Sequence, residues 1–112
     1  MKKGKNDYRR EPFVRMGRDI ILKSDAWHSF HARSRDFYIL LKSKYNGSNN
    51  GQLALYYSEI CAKKITGLSS HKGVSAAILE LEQAGWIERT KIGGLHRWKN
   101  TYRLTGKEDR LL

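Results

Sequence analysis

The sequence predicts an α+β fold in which four helices pack against a small antiparallel sheet. Three observations support this: an apolar stripe at helical spacing, a glycine turn between two further helical segments, and a glycine pair between two strand-like segments. The chain has 112 residues, the usual length of one domain, and 39% of them are hydrophobic. A modest core is therefore expected.

The ends of the chain lack the periodic apolar pattern of the middle. Residues 1–12 are polar and basic and are predicted to be a disordered tail, and residues 107–112 are predicted to be a C-terminal tail. The domain is therefore predicted over residues 13–106. It begins with short apolar groups between Phe13 and Leu22, which we expect to pack on its surface.

Two helices are predicted in the first half of the domain, over residues 24–30 and 32–46. Ser24 or Asp25 can cap the first of them. The apolar stripe consists of Phe30, Phe37, Leu40, Leu41 and Tyr45. The basic side chains expected to lie off this stripe are Arg33, Arg35, Lys42 and Lys44. Gly47–Gly51 forms a turn that stops the second helix and leads to a strand over residues 52–56.

Two more helices are predicted over residues 58–66 and 70–84, joined by a tight turn. Ser69 or Ser70 can cap the longer helix. Gly67 supplies the positive φ that the turn requires, and Leu68 is expected to fill the angle between the helices. The residues of the longer helix expected to face inward are Val74, Ala77, Ile78 and Leu81.

Two strands are predicted after these helices, over residues 86–91 and 98–104, with a loop at Gly93–Gly94. The order of helix, turn, helix and hairpin predicts a winged helix-turn-helix.

The start of the helix over residues 70–84 carries short polar side chains. A helix that enters the major groove of DNA, about 12 Å wide, needs such side chains on its outer face, and its free N–H groups can hold a phosphate. Gly73 lowers the stability of the predicted helix by about 1 kcal/mol relative to alanine. Close approach of the helix to the DNA backbone is one compensation for this cost. The candidate contacts on this segment are Ser69, Ser70, His71, Lys72 and Ser75.

The charge balance favours an anionic partner, nucleic acid before an anionic membrane surface. The chain has 22 Lys and Arg against 11 Asp and Glu, a net charge of +11. The predicted hairpin adds basic side chains that can reach the DNA backbone or the minor groove. These candidates are Arg89, Lys91, Arg97 and Lys99. Double-stranded DNA is therefore the predicted partner, with the basic N-terminal tail as a further candidate phosphate contact.

The segment GLSSHKGVSAAILELEQAGWIERT resembles the recognition-helix segment of bacterial winged helix-turn-helix regulators. Residues 13–106 are similar to a family of small winged-helix proteins found in bacterial genomes, prophages and plasmids. The most specific pieces are the YNGSNNG turn and the Gly-Gly wing followed by YRLT. The resemblance implies DNA binding in transcription control or replication initiation. Ala76 stands where the family often has arginine, so guanine recognition from that position is not implied.

Catalysis finds little support in the sequence. The four histidines and Cys61 show no metal-ligand spacing. Glu80 and Glu82 fall on different sides of the predicted helix, so they do not form an acid–base pair. Gly93–Gly94 lacks the Gly-Lys-Ser/Thr pattern of a phosphate loop. We therefore predict no enzyme, no catalytic or metal site and no cofactor.

Two other functions remain open. A winged helix that binds RNA would expose aromatic side chains for stacking, and a protein-interaction module would place apolar side chains on the outer face of the 70–84 helix, where Leu79 is the one candidate. Trp98 is expected either on the outer face of the sheet or on the wing. The aromatic residues expected in the core are Trp27, Phe30, Trp86 and Tyr102.

The single cysteine, Cys61, cannot form an internal disulfide and is expected to be a small core residue in a reducing compartment. No apolar run approaches about 18 residues, so no membrane partner is predicted. Residues 1–10 lack the apolar stretch of a signal peptide. The predicted location is the cytoplasm, in association with the nucleoid. A homodimer on a two-fold DNA site is one alternative for the oligomeric state.

Overall fold

The computed structural model describes residues 14–91, 99–107 and 109. These residues form five helices and three strands. In chain order the elements are α1 (Arg18–Lys23), α2 (Asp25–Ser29), α3 (Ala32–Lys42), β1 (Leu53–Tyr56), α4 (Tyr57–Cys61), α5 (His71–Gln83), β2 (Ile87–Lys91) and β3 (Lys99–Leu104). The predicted α+β class is confirmed. The predicted N-terminal tail, the predicted loop at Gly93–Gly94 and Trp98 lie outside the described residues.

Two helices end earlier than the sequence analysis predicts. α3 ends at Lys42 instead of residue 46, because the backbone N–H groups of Lys44 and Tyr45 bond three residues back and tighten the last turn. α4 has five residues instead of the predicted 58–66, because the same tightening follows Cys61 and Lys64 adopts a positive φ of 55°.

One helix, α1, is missing from the sequence analysis. The surface segment expected there contains a six-residue helix in which Ile20 is buried, whereas Ile21 and Leu22 are exposed. The helix is too short for its periodic pattern to stand out in the sequence.

The predicted helix starts are confirmed. The hydroxyl of Ser24 accepts a hydrogen bond from the N–H of Trp27 at 3.1 Å, and Ser70 accepts one from Gly73 at 3.2 Å. Gly67 has the expected positive φ, 86°, and Leu68 is fully buried beside it. These signals therefore position the second helix pair as predicted.

The three strands form one antiparallel sheet in the order β1-β3-β2. Tyr102 of β3 lies opposite Leu53 on one side and Arg89 on the other. The register shifts between Arg89 and Lys91, where the hydroxyl of Thr90 donates to the carbonyl oxygen of Gly51 at 2.6 Å. This bond joins β2 to the turn before β1.

The core lies between the helices and one face of the sheet. All four predicted inward residues of α5 are buried, and so are the four predicted core aromatics. Trp86 stacks on Trp27 with ring centroids 5.9 Å apart and meets the edges or faces of Phe30 and Tyr38 at 5.1 and 5.3 Å. Cys61 packs against this core and is partly buried. Burial raises the pKa of the Tyr102 hydroxyl to about 12.

A buried ion pair corrects two predictions. Lys42, expected off the apolar stripe of its helix, is only 3% exposed and pairs with Asp109, which is 1% exposed. The hydroxyl of Tyr38 donates to the same carboxylate at 2.9 Å, and burial, together with the charge of Asp109, raises the pKa of Tyr38. Lys107 also donates to the carbonyl oxygen of Ala84. Lys107 and Asp109, both in the predicted 107–112 tail, therefore contact the domain.

Candidate nucleic-acid interface

Residues 57–83 form what we call the α4–turn–α5 unit. At two of its glycines, close packing leaves no room for a side chain. A Cβ on Gly73 would lie under 3.0 Å from the carbonyl oxygen of Gly67. A Cβ on Gly67 would lie 2.9 Å from the Cβ of Arg33 on α3. The glycine in α5 is therefore explained by close packing on the turn inside the protein, and the predicted approach to a DNA backbone is not needed to account for it.

The five predicted contact residues at the start of α5 are all exposed: Ser69, Ser70, His71, Lys72 and Ser75. Ser70 is occupied as the helix cap, so its hydroxyl already accepts a hydrogen bond from the protein. The remaining side chains on the helix are His71, Lys72 and Ser75, which we call the α5 polar face. They bring an imidazole, an ammonium group and a hydroxyl together at one helix end.

Tyr57, the first residue of α4, contacts two members of this face. Its ring meets the His71 ring at 5.1 Å with an interplanar angle of 84°, and its hydroxyl lies 3.1 Å from the Ser75 hydroxyl. The sequence analysis missed this residue, since an aromatic side chain beside a strand indicates only a core position. Tyr57 is indeed 8% exposed, so its ring is packed while its polar end reaches α5.

The acidic side chains of the α4–turn–α5 unit are bound by residues outside the unit. Glu59 pairs with Lys44 at 2.6 Å, and Glu82 pairs with Arg89 at 2.8 Å. The hydrogen bond from Lys44 is the main reason why the pKa of Glu59 is lowered. Glu80 accepts hydrogen bonds from α3 and from the residue before it. Each carboxylate of the unit is therefore held in place by a residue outside it.

The lysines of the unit, by contrast, have no ion-pair partner within residues 14–91, 99–107 and 109. Lys63, Lys64 and Lys72 are all exposed. The first two were not predicted as contacts, although two adjacent lysines beside a glycine turn are a visible signal. The unit therefore presents three lysine side chains to solvent, none of them in a direct ion pair with those residues.

The predicted hairpin contacts differ from one another in the structure. Arg89 binds Glu82 through two hydrogen bonds, Nε to Oε2 at 2.8 Å and Nη2 to Oε1 at 2.9 Å, and this raises the pKa of its guanidinium. Its charge is balanced, and it fastens β2 to α5. Lys91 is exposed and has no ion pair among the described residues. Arg97 and the side chain of Lys99 lie outside them.

Glu80 anchors the middle of α5 to the start of α3. Its carboxylate accepts from the hydroxyl of Ser34, from the backbone N–H of His31 at 3.2 Å, and lies 3.1 Å from Nδ1 of that histidine. Burial alone would raise the pKa of Glu80, but the hydrogen bonds from Ser34 and His31 outweigh it and leave the pKa below its usual value. The anchor fixes the orientation of α5 relative to α3.

This lowered pKa predicts a loss of stability in acid. A carboxyl group with a depressed folded-state pKa stabilises the fold above its unfolded pKa of 4.5 and loses that contribution as the pH falls through the folded pKa. We expect the melting temperature of the wild-type protein to decrease as the pH is lowered below 4.5. The melting temperature of Glu80→Gln should decrease less steeply over the same range. Equal pH profiles for the two proteins, measured by circular dichroism, would exclude this anchor in solution.

Leu79 is the apolar exception on α5, with half of its surface exposed.

Among the described residues, no three His, Cys, Asp or Glu side chains cluster as metal ligands would. Nor does any helix in that part of the chain combine the length and the hydropathy that crossing a membrane requires.

Comparison of the chain with protein-family models, curated proteins and solved structures finds no match. The resemblance to small bacterial winged-helix proteins therefore stays a prediction. The functional argument depends on the α4–turn–α5 unit itself.

Proposed function

We propose that the protein binds double-stranded DNA as a winged helix-turn-helix, with α5 as the recognition helix in the major groove. The observation that carries the proposal is the α5 polar face, exposed at the start of a helix whose carboxylates are all tied to other elements. The three-stranded antiparallel sheet behind it is compatible with this fold.

The chemistry of the polar face suits base edges. Serine and histidine are short and can donate or accept, so they can follow the donor and acceptor pattern in the major groove. The first N–H groups of α5, together with Lys72, favour a phosphate at the same helix end. Lys63, Lys64 and Lys91 are the further phosphate contacts that the proposal assigns.

The biological role within this proposal is transcription control or replication initiation. Both need a module that locates a DNA site and holds it. Association with the nucleoid belongs to the same proposal, since a protein of net charge +11 binds duplexes without sequence preference as well.

The double substitution His71→Ala with Lys72→Glu tests the docking face. We expect it to weaken binding to a random-sequence duplex of about 20 base pairs by at least about tenfold, because it removes one phosphate contact and adds repulsion. Binding is measured by fluorescence anisotropy at two salt concentrations, beside duplex RNA and single-stranded DNA. Wild-type protein should prefer duplex DNA with a steep salt dependence.

The matched control is His28→Ala with Lys23→Glu. It makes the same two replacements on exposed residues of α1 and α2, so the change in net charge is identical. The control should keep clearly more affinity than the α5 variant. Equal losses in the two variants would show that overall charge alone drives binding and would contradict docking through α5.

A protein-interaction module is the second candidate, favoured by the half-exposed Leu79 on α5. Weak binding of wild-type protein to all three nucleic acids at physiological salt would favour it over the DNA proposal.

A further inference from the structure

The contacts of Tyr57 go beyond what packing requires. Its ring is buried against the domain, yet its hydroxyl reaches across to α5 and lies 3.1 Å from Oγ of Ser75. The same ring lies against His71 at a steep angle. One side chain of α4 thus restrains two of the three residues of the α5 polar face.

We infer that Tyr57 is a positioning residue that sets the sequence preference of the α5 polar face through Ser75. This inference rests on the proposed DNA-binding function. The two hydroxyls share one hydrogen bond, and this bond holds the Ser75 side chain in one rotamer.

Holding Ser75 in one rotamer fixes the point at which its hydroxyl meets the edge of a base. In the major groove that hydroxyl can donate to N7 or O6 of guanine, N7 of adenine or O4 of thymine, or accept from N4 of cytosine, and these groups lie at different positions on the base pairs. A hydroxyl at a fixed point therefore distinguishes between base pairs. Without Tyr57 the Ser75 side chain changes rotamer freely, so the preference is lost.

A double-mutant cycle with Tyr57→Phe and Ser75→Ala tests the inference. The probes are a duplex that the wild-type protein selects from a random pool and a random-sequence duplex of equal length. Each single variant should bind the selected duplex about fivefold more weakly, the usual effect of one hydrogen bond, and should lose clearly less affinity for the random duplex. The double variant should bind no more weakly than Ser75→Ala alone.

Repeated selection with each variant adds a readout that a packing role would not change. Tyr57→Phe should accept several bases at one position where the wild type selects a single base, with an unchanged salt slope. Tyr45→Phe removes a tyrosine hydroxyl from the turn after α3 and should keep the wild-type preference. Thermal melting confirms that every variant is folded before binding is compared.

The outcomes separate this inference from the proposal beneath it. If wild-type protein binds no duplex, the DNA-binding function is wrong and the inference is overturned with it. If wild-type protein selects a site but Tyr57→Phe selects the same site with the same affinity, only the inference is overturned. Losses that add fully in the double variant would equally contradict action through Ser75.

Discussion

Replacing Asp109 by alanine is expected to lower the free energy of unfolding by about 3–5 kcal/mol, the usual cost of removing one partner of a buried ion pair. The substitution leaves the ammonium group of Lys42 buried without its carboxylate. It also removes the acceptor for the hydroxyl of Tyr38, which lies within the aromatic cluster around Trp86. Urea unfolding followed by tryptophan fluorescence measures the loss directly.

The double variant Lys42→Met with Asp109→Leu is the control for this prediction. Apolar side chains of similar volume remove both charges together, so we expect part of the lost stability to return, while the hydroxyl of Tyr38 still lacks the carboxylate of Asp109. An Asp109→Ala variant as stable as the wild type would mean that residue 109 is solvated in solution, as the sequence analysis expects for a tail.

Replacing Gly73 by alanine is expected to destabilise the protein by about 2 kcal/mol, against the general rule. In an open helix the change would be favourable by about 1 kcal/mol. Here the new methyl group would collide with the carbonyl oxygen of Gly67, and overpacking of this kind costs about 3 kcal/mol. Because the neighbour is backbone and not a flexible side chain, the helix and the turn must move apart.

The comparison variant is Gly47→Ala. Gly47 has a positive φ of 98° but nothing within 4 Å of the added Cβ, so it measures backbone strain without a collision. We expect a cost of about 1 kcal/mol there, from the left-handed conformation alone. Thermal melts that rank Gly73→Ala as the milder change would contradict the close packing of the turn on α5.

Local chemistry is the part of this fold that the sequence reveals. The caps at Ser24 and Ser70 and the turn at Gly67 all follow from residues within four positions of one another, and all are confirmed. Helix ends are harder, because the tightened turns after α3 and α4 depend on the surrounding packing and not on a stop residue.

Pairing between side chains on different elements is the part of the fold that could not be predicted from the sequence. Lys42 and Asp109 are 67 positions apart, and a lysine beside an apolar stripe has the same local pattern whether it is solvated or buried. The pair of Arg89 with Glu82 could not be predicted either, because the charge of Arg89 indicates a DNA contact and the sequence does not show that Glu82 faces it. In both cases only the folded chain tells which charges are already used.

The candidate site divides in the same way. Exposure of the five residues at the start of α5 follows from the helical period and is confirmed. The role inferred for Tyr57 could not be predicted, because its hydroxyl meets a residue 18 positions away across the turn. The sequence therefore predicts which of these side chains are exposed, and the structure adds which residues contact them.

The order of the strands has a consequence for synthesis on the ribosome. β3 leaves the exit tunnel last, yet it lies between β1 and β2 and makes the ladder bonds to both. A nascent chain released before Lys99 is added therefore keeps β1 and β2 but lacks the strand that pairs with both. The two remaining strands then have open edges, which favours pairing with other chains.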